Sequence, residues 1–131
     1  MPIATLSIPA LPEQAMTARM VVGAAARRAG MDPETVDDIR LAVTEAVARA
    51  MLRSRPGERV RVSIRDDLDQ FRVDVSDTTA EDVVADDESE LTVSLIQALS
   101  PRVVVTENEW NGQTVTLAWP LDPRQEPAGH R

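Results

Sequence analysis

The chain has no cysteine and no lysine, and its single histidine, His130, sits next to the last residue. Without cysteine there is no disulfide scaffold, zinc–thiolate site, iron–sulfur cluster or thiol nucleophile. Without further histidines there is no His-based triad and no multi-His metal site. All 14 basic residues are arginine, so a Walker-type phosphate loop or a Schiff-base lysine is excluded. Long apolar runs are also missing. The best candidate, Met20 to Ala26, is bounded by Arg19, Arg27 and Arg28 and is far short of a membrane span. Met1-Pro2-Ile3 lacks the basic start of a secretory leader. A cytoplasmic location away from membranes is expected.

What is present is acidic. The 131 residues carry a formal net charge of −8, which disfavours nucleic acid and anionic lipid and suits a neutral or basic protein partner. The length fits one domain with a real core, since a chain of this size buries roughly two-thirds of its unfolded surface. We assign that domain to residues 1–121, with a polar, proline-containing flexible tail at 122–131.

The apolar pattern switches period along the chain. Thr5 to Ile8 alternates and predicts a short strand. A helix is predicted over Glu13–Ala29, where Met16, Met20, Ala24 and Arg27 recur at helical spacing and Gly30 stops the run. A second helix is predicted over Pro33–Arg53, with Asp32 as N-cap, Pro33 in the first turn and an apolar stripe from Val36 to Ala50. Val60, Val62 and Ile64 share one face of a strand, as do Phe71, Val73 and Val75. Thr78 to Glu88 has no apolar period and reads as a loop. A third helix is predicted over Leu91–Leu99, capped by Ser89, with Leu91, Leu95, Ile96 and Leu99 inward. Val103 to Val105 and a strand carrying Val115, Leu117 and Trp119 flank a hairpin at Asn111-Gly112. One-sided strands need helices on their apolar face. The fold class is therefore α+β, a two-layer sandwich whose mixed, mostly antiparallel sheet has its helices on one face.

Four pieces of the sequence carry a family resemblance. They are Leu41-Ala-Val-Thr-Glu45-Ala-Val-Ala-Arg49-Ala50, then Phe71-Arg-Val-Asp-Val-Ser-Asp77, then Leu95 to Val103, and Gly112-Gln113-Thr114-Val115. In this order and spacing, over about Thr5 to Leu121, the chain resembles the bacterial anti-sigma-factor serine kinases of the GHKL (Bergerat-fold) group, with their histidine-kinase-like ATPase fold. The resemblance implies that Glu45 stands at the general-base position. It implies that Asp77 stands where a carboxylate reads adenine, and that Arg49, Thr79, Thr92 and Thr114 stand at nucleotide-binding positions. It further implies a sigma factor and an anti-anti-sigma antagonist as protein partners, and a homodimer.

The departures fall on the chemistry. Arg49 replaces the asparagine that holds Mg²⁺ in the family, and a guanidinium is a donor-only cation that cannot ligate a metal. Thr79 and Glu81 replace two glycines, and Glu90 and Thr92 stand where glycines would present backbone N–H groups to phosphates. Eight acids and no base lie between Val73 and Pro101, an unfavourable lid for a triphosphate.

Plainer readings exist for each residue. Glu45 and Arg49 form a favourable i,i+4 surface pair. Asp77 is a turn residue, the acidic run a solvated loop and Thr114 an ordinary strand residue. Met16, Met20 and Met31 are packing residues; Trp110 and Trp119 cover the hairpin and fill the core. We expect a regulator that sequesters a sigma factor and is released by an antagonist, with a degenerate ATP site in which Glu45 is vestigial. No metal and no cofactor are expected, and any ATP binding should be weak. The rival readings are an active Mg·ATP-dependent serine kinase, a metal-free ATP binder in which Arg49 meets the phosphates, and a dimerising domain of unrelated role.

Overall fold

The structure is a computed structural model that describes residues 2–67, 69–78 and 87–121. The elements run β1 (Pro2–Pro9), α1 (Ala15–Arg28), α2 (Pro33–Arg53), β2 (Arg59–Asp67), β3 (Gln70–Ser76), α3 (Asp87–Leu99), β4 (Arg102–Glu107) and β5 (Gln113–Pro120). A 3-10 turn, Pro12–Gln14, leads into α1. The strands form one open sheet in the order β1-β2-β3-β5-β4. Every pairing is antiparallel. The sandwich expected from the sequence is present, with a wholly antiparallel sheet.

Strand alternation sets the two faces. Val60, Val62, Ile64, Phe71, Val73, Val75, Val115, Leu117 and Trp119 are buried beneath the helices. Their neighbours Arg61, Ser63, Arg65, Arg72, Asp74, Thr114 and Thr116 line the outer face. Trp119 belongs to the core, as expected, and its indole N–H donates to Leu99 O at 3.1 Å. Trp110 is instead exposed on the hairpin, where the Arg61 guanidinium lies 4.8 Å from its ring centre.

Helix α2 matches its expected span. Asp32 occupies the N-cap position without a side-chain cap bond, and its carbonyl accepts from Val36 N at 2.9 Å. Pro33 fits the first turn, where the missing N–H has no intrahelical partner anyway. Helix α1 ends as the sequence predicts. Gly30 adopts φ +84°, Gly30 N bonds Arg27 O and Met31 N reaches back to Ala26 O, closing the last carbonyls.

Two packing expectations are corrected. The buried line of α1 is Ala18, Val22, Gly23, Ala25 and Ala26, whereas Met16 and Met20 face outward. The reason is close approach: a Cβ on Gly23 would stand only 3.0 Å from the Arg40 side chain of α2. Small residues therefore take the shared surface, and only Met31 of the three methionines is buried. On α3, Ile96 is buried and Leu99 half-buried, but Leu91 is 70% and Leu95 42% exposed. Thr92, Ile96 and Leu99 follow the i,i+4,i+7 line that meets the core, and Leu91 and Leu95 lie one step round the helix. The helix also starts at Asp87, so Ser89 lies inside it, and Asp87 and Glu88 belong to the helix rather than to the expected loop. Acidic residues favour a first helical turn. Residues 79–86 and the tail at 122–131 lie outside the described residues.

Candidate functional site

Helix α2 runs across the apolar face of the sheet and presents Glu45, Arg49 and Arg53 at successive i,i+4 positions along one side. Glu45 is half-buried, and Arg49 and Arg53 are each 8% exposed. At the end of β3, the chain leaves the sheet at Asp77, which is 1% exposed. The last turn of α2 thus brings an arginine to the same corner as a buried carboxylate.

Asp77 is held from four directions. Its Oδ2 accepts from Arg53 Nε at 2.7 Å, and its Oδ1 accepts from Gln113 N at 2.9 Å. Its own N–H donates to Gln113 O at 3.0 Å, and its carbonyl accepts from Asn108 Nδ2 at 2.8 Å. The Asn108 side chain also accepts from the backbone N–H groups of Trp110 and Gly112, which fixes the β4–β5 turn on Asp77. Gly112 is required by space: a Cβ there would collide with the Asp77 carbonyl and carboxylate oxygens. The left-handed backbone of the turn falls on Asn111, with φ 61°. The Asn-Gly signal thus correctly marked a hairpin, while its glycine serves close approach.

Arg49 Nη2 donates to Gln113 Oε1 at 2.8 Å. Burial lowers the Arg49 pKa, and the neighbouring Arg53 charge lowers it further, against the opposing pull of Asp77. The corner therefore holds two guanidinium groups and one carboxylate, tied through Gln113. A cationic side chain near the C-terminus of α2 is also favoured by the helix dipole, which adds to the placement of Arg53.

The candidate residues separate as follows. Arg49 and Asp77 come together, joined by Arg53 and Gln113. Thr114 lies on the outer face, where its hydroxyl pairs with that of Ser76 at 2.8 Å. Thr92 is half-buried on α3 and Glu90 is exposed. Thr79 and Glu81 lie outside the described residues. Two residues of the cluster were missed from sequence. Arg53 continues the Glu45–Arg49 spacing by one more turn. Gln113 shares the inward parity of Val115, Leu117 and Trp119, which puts it, rather than Thr114, on the pocket side.

Chemically, the arrangement is a closed polar knot. Both Asp77 oxygens are engaged and out of water, so a base could reach the carboxylate only if Arg53 first let go. Among the described residues no group of three His, Asp or Glu is placed to hold a metal ion. Among the described residues no helix is long and apolar enough to cross a membrane.

Comparison with known proteins gives a family and a fold. The histidine kinase-like ATPase domain matches residues 8–119. No curated protein matches the chain. Among solved structures, a similar one is that of the RsbU and RsbW domains of Rv1364c from Mycobacterium tuberculosis. It superposes with a TM-score of 0.69 at 20% sequence identity, covering 89% of this chain. The matched part is 32% of that chain, so the present sequence spans about a third of its length.

Proposed function

Because the chain belongs to the histidine kinase-like ATPase domain family, we propose that it is a regulator of the anti-sigma-factor type whose nucleotide site has been converted into a structural joint. It binds a sigma factor and yields it to an antagonist protein without transferring phosphate. The observation that carries this reading is the Arg53–Asp77 pair, 2.7 Å apart and almost fully buried. The family resemblance assigns Asp77 to adenine, and here the carboxylate is taken by the chain's own guanidinium. Mg·ATP does not fit these residues. Arg49 offers N–H donors at the position of a metal ligand, and it points to Gln113. Removing a partner from a buried ion pair leaves an uncompensated charge, so an incoming base would have to overcome about 3–5 kcal/mol before gaining a contact.

The surface supports a protein partner. Met16 and Met20 stand exposed one turn apart on α1, and flexible thioether side chains suit adaptable recognition. The homodimer implied by the resemblance is part of the same proposal. The test is to mix the purified chain with γ-labelled Mg·ATP and with the sigma factors and antagonist proteins of its source, then resolve complexes by size and mass. A stable sigma-factor complex and unlabelled antagonist are expected, with Glu45→Gln behaving as the parent. Labelled antagonist, abolished by Glu45→Gln, would establish the kinase instead.

A further inference from the structure

The outer face of the sheet carries a charge opposite to that of the chain as a whole. Register places Arg65 of β2 directly against Arg72 of β3. Arg72 stands against Ala118 of β5, and Ala118 against Arg102 of β4. Three arginines thus form one row across the strands, with neighbouring strands about 5 Å apart. Like charges directly opposite one another disfavour a sheet. Of the acids on this face, Asp74 accepts from Thr116 Oγ1 at 2.6 Å and from Arg72 Nε at 3.2 Å, while Asp67 lies two residues along β2 from Arg65 and Glu109 lines the depression with Trp110. Arg65 Nε is shut off from water and has no hydrogen-bond partner among the described residues.

A fourth arginine, Arg61, lies four residues along β2 from Arg65, a separation of about 13 Å. It stacks on the exposed Trp110. Between the two arginine levels the side chains are short, including Ser63 and Thr116, and leave an open depression of about 430 Å³. The span fits an α-helix with its side chains, roughly 10–12 Å across. A single strand is too narrow to meet both walls. Arginine and tryptophan are also the residue types that most often dominate protein interfaces.

We propose that this outer face docks an acidic helix of a protein partner. Its carboxylates pair with Arg65, Arg72 and Arg102 along one flank and with Arg61 on the other. Phosphates of a nucleic acid would suit the same arginines, but the net charge of −8 repels an extended polyanion beyond the contact. The inference goes beyond the proposed function, because it concerns the face opposite the helices and holds whether or not the Asp77 corner takes nucleotide.

The test is an NMR titration of the ¹⁵N-labelled full chain with a helical Glu/Ala peptide of about 20 residues, some 30 Å long. A Gln/Ala peptide and a short DNA duplex are run alongside. Shifts confined to β2, β3, β4, β5 and the Trp110 turn are expected, fading as salt is raised. The Arg65→Gln/Arg102→Gln double variant should keep the parent's melting temperature and bind the Glu/Ala peptide at least about tenfold more weakly. Shifts on α1 or α2, equal binding of the Gln/Ala peptide, tighter binding of DNA, a second copy of the chain occupying the face, or no binding would each overturn the proposal.

Discussion

The sheet meets polar side chains at two places, the Asp77 corner under α2 and the arginine row on the outer face, and the two are built in opposite ways. At the Asp77 corner, beneath α2, the polar atoms are buried and turned on one another: guanidinium to carboxylate, backbone N–H to carboxylate, guanidinium to side-chain amide. On the outer face the arginines stand on the side away from the helices, and the Nε of one of them, Arg65, has no hydrogen-bond partner among the described residues. A buried network in which the members satisfy each other rigidifies a fold. An open row of like charge does the reverse, because it is most favourable when something else covers it. In the proposed function, the family's binding corner serves as structure and recognition falls to other surfaces.

The contrast can be broken most sharply at Asp77. Asp77→Ala strands the buried Arg53 guanidinium and removes the acceptor of the Gln113 N–H, so a loss of about 3–5 kcal/mol is expected, read as a lower midpoint in urea unfolding. A loss below about 1 kcal/mol would mean that the corner is not a joint. Gly112→Ala comes next. The added methyl meets the Asp77 oxygens, and overpacking of this kind costs about 1–3 kcal/mol. A neutral result would show that the turn is free to move off Asp77. The smallest effect belongs to the outer face. Arg102→Gln should change stability by no more than about 0.5 kcal/mol, and thermal melts of the two proteins should superimpose. A drop as large as that of Asp77→Ala would erase the distinction between the two regions.

Much of this was legible in the residues, and what was not has specific causes. Helix α2 was legible in its first-turn proline and apolar stripe, although the Asp32 side chain does not cap it. The strand alternation gave the correct inner and outer faces. The exposed Met16 and Met20 ran against expectation because hydrophobic spacing alone cannot tell that small residues permit a closer helix approach at Gly23. Leu91 and Leu95 failed for a related reason, since α3 meets the core along a single line and the sequence offers two apolar ones. In the corner, Arg49 and Asp77 were singled out through their motif positions, while Arg53 lies just beyond its motif and Gln113 lies inside one whose resemblance pointed to Thr114 instead. Helical spacing and strand parity would have found them. The arginine row could not be read along the chain at all. It exists only in the register that sets Arg65, Arg72, Ala118 and Arg102 side by side.

The central claim is that the chain's own arginine holds the carboxylate a nucleotide would need. Calorimetric titration of the intact chain with ATP, once with Mg²⁺ and once with a chelator, tests it directly. Dissociation constants of about 1 mM or weaker, near −4 kcal/mol, are expected in both. Micromolar binding that requires Mg²⁺ would contradict the account and restore the kinase; micromolar binding without the metal, lost in Arg49→Ala, would contradict it in favour of an arginine-held triphosphate.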